Sequence, residues 1–268
     1  MGRLHARAAA SWRRRRRRAS HSRVRDAADA ASPRTIPPHE RLIVALDVAR
    51  PDDARRLVRA LGDAVSFYKV GLELLCAEGT FALVRELRDA GHQVFLDAKL
   101  FDIPATVAAA MRNLRPHDAR FVTVHASRRV LEAACAERGA TGVLAVTVLT
   151  SFDTNDLREL GHPAPLTAED LVLQRARVAL ETGCTGVVAS PLEARRIRAE
   201  LGERLVIVTP GIRPEGTGGG DDQRRVATPR AAFEAGADYL VMGRPIREAP
   251  DPRAAALAVQ ETIAAHFA

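Results

Sequence analysis

Cysteine is scarce in this chain. Cys76, Cys135 and Cys184 are its three cysteines in 268 residues. The number is odd, the positions are far apart in sequence, and none has metal-ligand spacing. A disulfide framework and a structural zinc site are therefore not indicated, and the three read as reduced, mostly buried thiols of a cytoplasmic protein. No apolar run approaches the roughly 20 residues that a membrane-spanning helix needs. No Gly-x-Gly-x-x-Gly turn follows the first apolar run, which weakens the case for a doubly wound, dinucleotide-binding sheet. The charge is also less basic than its sum suggests. The net charge is +7, but residues 1–38 hold eleven arginines against Asp26 and Asp29, a local +9, so the rest of the chain is −2. The high isoelectric point belongs to the N-terminal segment and does not mark the globular part as a nucleic-acid binder.

That segment includes Trp12 and six consecutive arginines, Arg13 to Arg18. It reads as a disordered, self-repelling extension, or as the product of an early start codon. The rival reading is an arm touching nucleic acid or an anionic surface through its charge. The bland reading is preferred, so nucleic-acid contact is not assigned to the tail. A twin-arginine export signal requires an apolar stretch after the arginines, and His21-Ser-Arg-Val-Arg-Asp26 follows instead. An Arg-rich organellar transit peptide stays open. The chain divides into residues 1–38, the extension, and 39–268, one globular domain.

Within that domain, short apolar runs alternate with helical patterns. The runs lie at 42–47, 65–70, 94–99, 121–125, 143–149, 186–190, 205–209 and 239–242. Stretches with apolar residues every three or four positions separate them, among them 51–61, 72–90 and 166–182. Eight apolar strands, each followed by a helix, predict an α/β (β/α)₈ barrel, with the open sheet as the alternative. Barrel chemistry sits at the C-terminal ends of the strands. Those ends carry Asp47, Lys69, Asp97, Lys99, His125, Thr150, Ser190, Arg213 and Arg244, a set that fold stability alone does not explain.

The densest signal is Asp97-Ala-Lys-Leu-Phe-Asp102, followed by Ile-Pro-Ala-Thr106. Strand alternation predicts Asp97 and Lys99 on one side, with Asp102 in the following turn and Pro104 starting a helix. Charges crowded in this way are costly unless the site uses them. The loop after the seventh strand is rich in glycine, from Gly216 to Gly220, and looks like a lid. The eighth strand ends Gly243-Arg244. These are the two loops where barrels often hold phosphate, with glycine allowing close approach and arginine offering a fork of donors.

Taken in order, these pieces resemble the orotidine 5′-phosphate decarboxylase family in its bacterial form. The matching motifs are Val44-Ala-Leu-Asp47, Lys69-Val-Gly71, Asp97-Ala-Lys-Leu-Phe-Asp-Ile-Pro-Ala-Thr106, Val124-His-Ala-Ser127, Thr147-Val-Leu-Thr-Ser151, Val208-Thr-Pro-Gly-Ile-Arg-Pro-Glu-Gly216, Asp222-Gln-Arg-Arg225 and Gly243-Arg-Pro-Ile246. Related phosphosugar barrels such as hexulose-phosphate synthase share Asp-x-Lys-x-x-Asp, lack Ile-Pro-x-Thr, and use magnesium. The resemblance implies conversion of orotidine 5′-phosphate to UMP and CO₂ in pyrimidine biosynthesis, without cofactor or metal. It implies a homodimer with shared active sites. Lys99 would protonate C6, Asp97 would lie near the departing carboxylate, and Asp102 would come from the partner chain. Asp47, Lys69 and the partner's Thr106 would contact the ribose region. Thr150 would lie near the base, and Arg213, Gln223, Gly243 and Arg244 would hold the phosphate or close over it. The loop from Arg213 to Gln223 is one residue longer than the family pattern. His125 reads as a residue orienting its neighbours rather than as a general base.

Overall fold

The computed structural model describes residues 36–152, 154–162, 165–214 and 226–268. Eight parallel strands close into a barrel in sequence order, as the alternation predicts. The chain runs β1 (Leu42–Ala45), α1 (Pro51–Leu61), β2 (Phe67–Val70), α2 (Leu72–Leu75), α3 (Thr80–Asp89), β3 (Gln93–Leu100), α4 (Pro104–Leu114), β4 (Phe121–His125) and α5 (Arg128–Glu137). It continues through β5 (Gly142–Val146), α6 (Thr154–Glu159), α7 (Ala168–Glu181), β6 (Gly186–Val188), α8 (Pro191–Leu201), β7 (Val206–Thr209), α9 (Pro229–Glu234), β8 (Tyr239–Met242), α10 (Arg244–Arg247) and α11 (Pro252–Phe267). β1 pairs with both β2 and β8, which closes the ring.

Strand alternation sorts the side chains into two cores. Leu42, Val44, Tyr68, Val70, Val94 and Leu96 face outward and pack in the layer beneath the helices. Ile43, Ala45, Phe67, Phe95, Phe121 and Tyr239 face the barrel axis. The inward aromatic rings form a plug. Phe67 and Phe121 stack at 5.8 Å between centroids, and Tyr239 meets Phe121 edge-on at 5.5 Å. Burying each ring contributes roughly 1.5–3 kcal/mol. Ile36 belongs to the same cluster, so the chain is already packed two residues before the 310 turn Pro38–Glu40. The Arg-rich tail expected over residues 1–38 falls, up to residue 35, outside the described residues.

Two local departures from the sequence pattern matter. The continuous helical pattern over 72–90 is broken into α2 and α3. Gly79 adopts φ +81°, which L side chains rarely adopt, and the buried Thr80 hydroxyl donates to the Ala77 carbonyl at 2.9 Å. The second departure is in β3. Leu96 pairs with Val122 and Leu100 with Val124, so β3 advances four residues where β4 advances two. Lys99 lies in this bulge with φ +47°.

The three cysteines are free thiols as expected, but the expectation that they are mostly buried needs correction. Cys76 is exposed, and Cys135 and Cys184, distant in sequence, bring their sulfurs within 3.6 Å while remaining free thiols. Among the described residues, no helix is long and apolar enough to cross a membrane.

Candidate active site

Continuing the inward face past the aromatic plug leads directly to the polar groups. Two residues beyond Phe67 is Lys69, beyond Phe95 is Asp97, and beyond Phe121 is Thr123. Lys69 Nζ donates to Asp47 Oδ1 at 2.8 Å and lies 3.5 Å from Asp97 Oδ2. Lys99 Nζ donates to that same Asp97 oxygen at 2.8 Å. The result is a row of alternating charge: Asp47, Lys69, Asp97, Lys99. Strand alternation predicts that Asp97 and Lys99 share a side. They do meet, but Lys99 reaches Asp97 from the bulge rather than from a regular strand.

Burial pushes the Asp97 carboxyl upward and is the largest single influence on it. The Lys69 and Lys99 ammonium groups, with hydrogen bonds from Lys99 and Thr123, together outweigh it and hold Asp97 below the ordinary carboxylate value of 3.8. Asp97 is therefore ionised at neutral pH.

The row forms one wall of a cavity of about 540 Å³ at the C-terminal mouth of the barrel. Asp47, Lys69, Asp97, Lys99, Thr150, Arg213, Gly243 and Arg244 all line it. A Cβ added at Gly243 would meet only Ala45 Cβ at 3.5 Å and Asp47 Oδ2 at 3.8 Å, ordinary contacts, so packing within the barrel does not demand glycine there. The loop after β7 is tied at its base. Arg213 N–H donates to the Ala227 carbonyl at 3.0 Å, and Ala227 N–H to the Gly211 carbonyl at 3.3 Å. Gln223 lies outside the described residues.

Other predicted residues stand apart from this cavity. Asp102 is exposed, with its Oδ1 accepting from the Ile103 N–H at 2.6 Å, and neither it nor Thr106 lines the cavity. Ser190, a polar strand end, caps α8 instead: its backbone N–H donates to Glu193 Oε2 at 2.9 Å and its hydroxyl meets the same oxygen. His125 faces a neighbouring, more apolar recess of about 350 Å³ with Phe101 and Arg175. Burial, then the charges of Arg175 and Lys99, lower its pKa below 6.5 against a smaller opposing pull from Asp97. It is a neutral imidazole at pH 7, which does not by itself separate an orienting role from a general base.

Three further residues belong to the site although the sequence does not single them out for it. Arg247 lines the cavity, and its guanidinium donates to the Asp47 carbonyl. Thr123 bonds both Asp97 and Lys99. Gly71 lies under the first ion pair: a Cβ there would lie 2.9 Å from Lys69 Nζ and closer still to Asp47 Oδ1. Gly71 stands inside the Lys69-Val-Gly71 motif, and Thr123 continues the inward alternation of β4, so both had a signal. Arg247, one turn past Arg244, had none.

Comparison with known proteins agrees with this geometry. The sequence model of the Orotidine 5′-phosphate decarboxylase / HUMPS family matches residues 40–259. The chain is 50% identical over 237 residues to an orotidine 5′-phosphate decarboxylase of Methylococcus capsulatus, covering 88% of this chain and 97% of that one. It is 52% identical over 222 residues to that of Nitrobacter winogradskyi, covering 82% and 91%. Among solved structures, the orotidine 5′-phosphate decarboxylase of Lactobacillus acidophilus superposes with a TM-score of 0.74 at 34% identity, over 84% of this chain and 99% of that one. Barrel, cavity, motifs and relatives agree, and the chain belongs to the orotidine 5′-phosphate decarboxylase / HUMPS family.

Proposed function

We propose that this protein converts orotidine 5′-phosphate to UMP and CO₂, the closing step of UMP synthesis, using only its own side chains. The observation that carries the reading is the Asp47–Lys69–Asp97–Lys99 row against the cavity wall. Loss of CO₂ from C6 of the pyrimidine leaves a carbanion without an adjacent carbonyl to spread the charge. An ammonium fixed beside C6 stabilises that charge as it develops and then donates the proton. Lys99 takes this role, held by Asp97 at 2.8 Å. Asp97, ionised and mostly buried, faces the substrate carboxylate. Two like charges at 4 Å repel by about 4 kcal/mol at an effective dielectric of 20. That is a partial share of a barrier reduction that reaches roughly 20 kcal/mol in such enzymes, so stabilisation of the carbanion by Lys99 is the larger effect.

Asp47 and Lys69 serve the ribose region and Thr150 the base. Arg213, Gln223, Gly243 and Arg244 serve the phosphate. Contacts with the remote phosphate then supply binding energy that closes the site and lowers the barrier at C6. A second copy of the chain supplies Asp102 and Thr106. Support for this comes from the loop that carries Asp102, where the flanking Phe101 and Ile103 are 69% and 67% exposed, apolar surface suited to a homodimer interface.

The test is an absorbance assay of the full chain with orotidine 5′-phosphate in EDTA, beside Lys99→Ala. Turnover by the parent, and a loss of more than a thousandfold in a variant that still binds UMP, is the expected result. Turnover that needs added Mg²⁺ would shift the reading to a metal-dependent phosphosugar barrel. Residual activity within tenfold of the parent would remove Lys99 from its role.

A further inference from the structure

The reacting pair, Asp97 and Lys99, is not held by its own strand. β3 loses its pairing register between Leu96 and Leu100, and Lys99 adopts a left-handed backbone. A lysine in that conformation requires surroundings that over-determine it. The neighbouring strand supplies the constraint through one hydroxyl. Thr123 sits on the inward face of β4 and is wholly buried. Its Oγ1 accepts the Lys99 backbone N–H at 2.9 Å and donates to Asp97 Oδ1 at 2.8 Å.

The directions of these two bonds are forced. A backbone N–H only donates, so the hydroxyl accepts from Lys99. An ionised carboxylate only accepts, so the hydroxyl proton points at Asp97. The two carboxylate oxygens then have separate partners. Oδ2 meets both ammonium groups, at 2.8 Å from Lys99 and 3.5 Å from Lys69. Oδ1 meets Thr123, which fixes the rotation of the carboxylate. We propose that Thr123 is a positioning residue, whose hydroxyl sets the Asp97 carboxylate and the Lys99 backbone in the one arrangement that presents the ammonium beside Asp97. The proposal rests on the decarboxylase reading and deepens it.

The consequence is specific to the hydroxyl. Valine at 123 keeps the shape and removes both bonds. Asp97 is then free to turn, and the Lys99 N–H loses its acceptor. Misplacement of a reacting group by about 1 Å costs on the order of a hundredfold in rate. Thr123→Val is therefore expected to lower kcat by about 30- to 100-fold. KM for orotidine 5′-phosphate and Kd for UMP should move by less than about threefold, because Thr123 is buried and does not line the cavity. Thr123→Ser keeps the hydroxyl and should stay within about fivefold of the parent. The acid limb of the kcat/KM profile should rise in pH for valine and not for serine, because the lost bond favours the charged carboxylate.

Several outcomes overturn the proposal while leaving the decarboxylase reading intact. They are an active parent with a valine variant within threefold of it, or valine and serine variants impaired alike, which would mark a packing role. A parent that folds but does not decarboxylate fails at the level of the reading and overturns both. Should Thr123→Val not fold, serine alone decides: near-parental kcat with an unmoved acid limb supports the assignment, and a loss beyond tenfold overturns it.

Discussion

Replacing Asp97 with asparagine tests the charge row as a unit. The substitution keeps the shape of the side chain and removes its charge. Lys69 and Lys99 lie 3.5 and 2.8 Å from one Asp97 oxygen, which places their nitrogens no more than about 6.3 Å apart. Two unit charges at about 6 Å repel by roughly 3 kcal/mol at an effective dielectric of 20. The Lys99 side chain is 34% exposed, so solvent trims this, and a net loss of about 1–3 kcal/mol is expected. A domain of this size shifts by about 2–4 °C per kcal/mol, giving a fall in Tm of about 2–12 °C. The effect also has a sign in pH. The Asp97 acid is depressed below 3.8, because the ammonium groups and hydrogen bonds outweigh the upward push of burial. Its stabilising contribution is thus fully present above the unfolded value and is lost as pH falls through the lower folded value. Urea melts of parent and Asp97→Asn from pH 3 to 8 should show a constant gap at neutral pH that narrows below about pH 4. Turnover should fall at least about a thousandfold. A variant as stable as the parent at pH 7, or a gap that ignores pH, would refute the reasoning.

Three other substitutions address other parts of the site. Arg244→Ala should raise KM and lower kcat/KM by about a hundredfold or more, if Arg244 holds the substrate phosphate as proposed; an unchanged kcat/KM contradicts the assignment. Gly71→Ala places a methyl group against the Asp47–Lys69 pair, and kcat/KM should fall by about tenfold or more, with a lower Tm in thermal melts. Parental kinetics would show that the pair has room to move. Lys99→Ala and Asp102→Ala are each expected to be inactive alone; mixed and allowed to exchange subunits, they should regain activity, because one of the two sites in the mixed dimer is then intact. Absence of recovery in a confirmed mixed dimer would place Asp102 outside the partner's site.

Much of this was legible in the residues. Alternating strand and helix patterns lead to the barrel, and α1 spans Pro51–Leu61, the range its periodicity predicts. Polar strand ends converge on one mouth because the barrel aligns them, so eight of the predicted residues line one cavity. What stayed hidden depends on non-local geometry. Nothing in Asp97-Ala-Lys99 announces a bulge, since the extra residues are defined only against the register of β4. Ser190 reads as a site residue until Glu193, three positions on, is seen to complete a helix cap. Asp102 and Thr106 are visible as a motif, but neither lines the cavity of its own chain, so the motif does not say where they act. Arg247 lines the cavity and bonds the carbonyl of Asp47, 200 positions away.

The aromatic plug has a further consequence in the decarboxylase reading. Phe67, Phe95, Phe121 and Tyr239 are almost wholly buried beneath the charge row, with Ile36 in the same cluster. Among the described residues, these rings fill the barrel axis beneath the cavity. In the proposed reading, substrate and product share the C-terminal mouth, and carbon dioxide freed at C6 meets packed aromatic rings below. In that reading it leaves by the mouth through which the nucleotide enters, so the groups proposed to hold the nucleotide would also govern when the gas escapes.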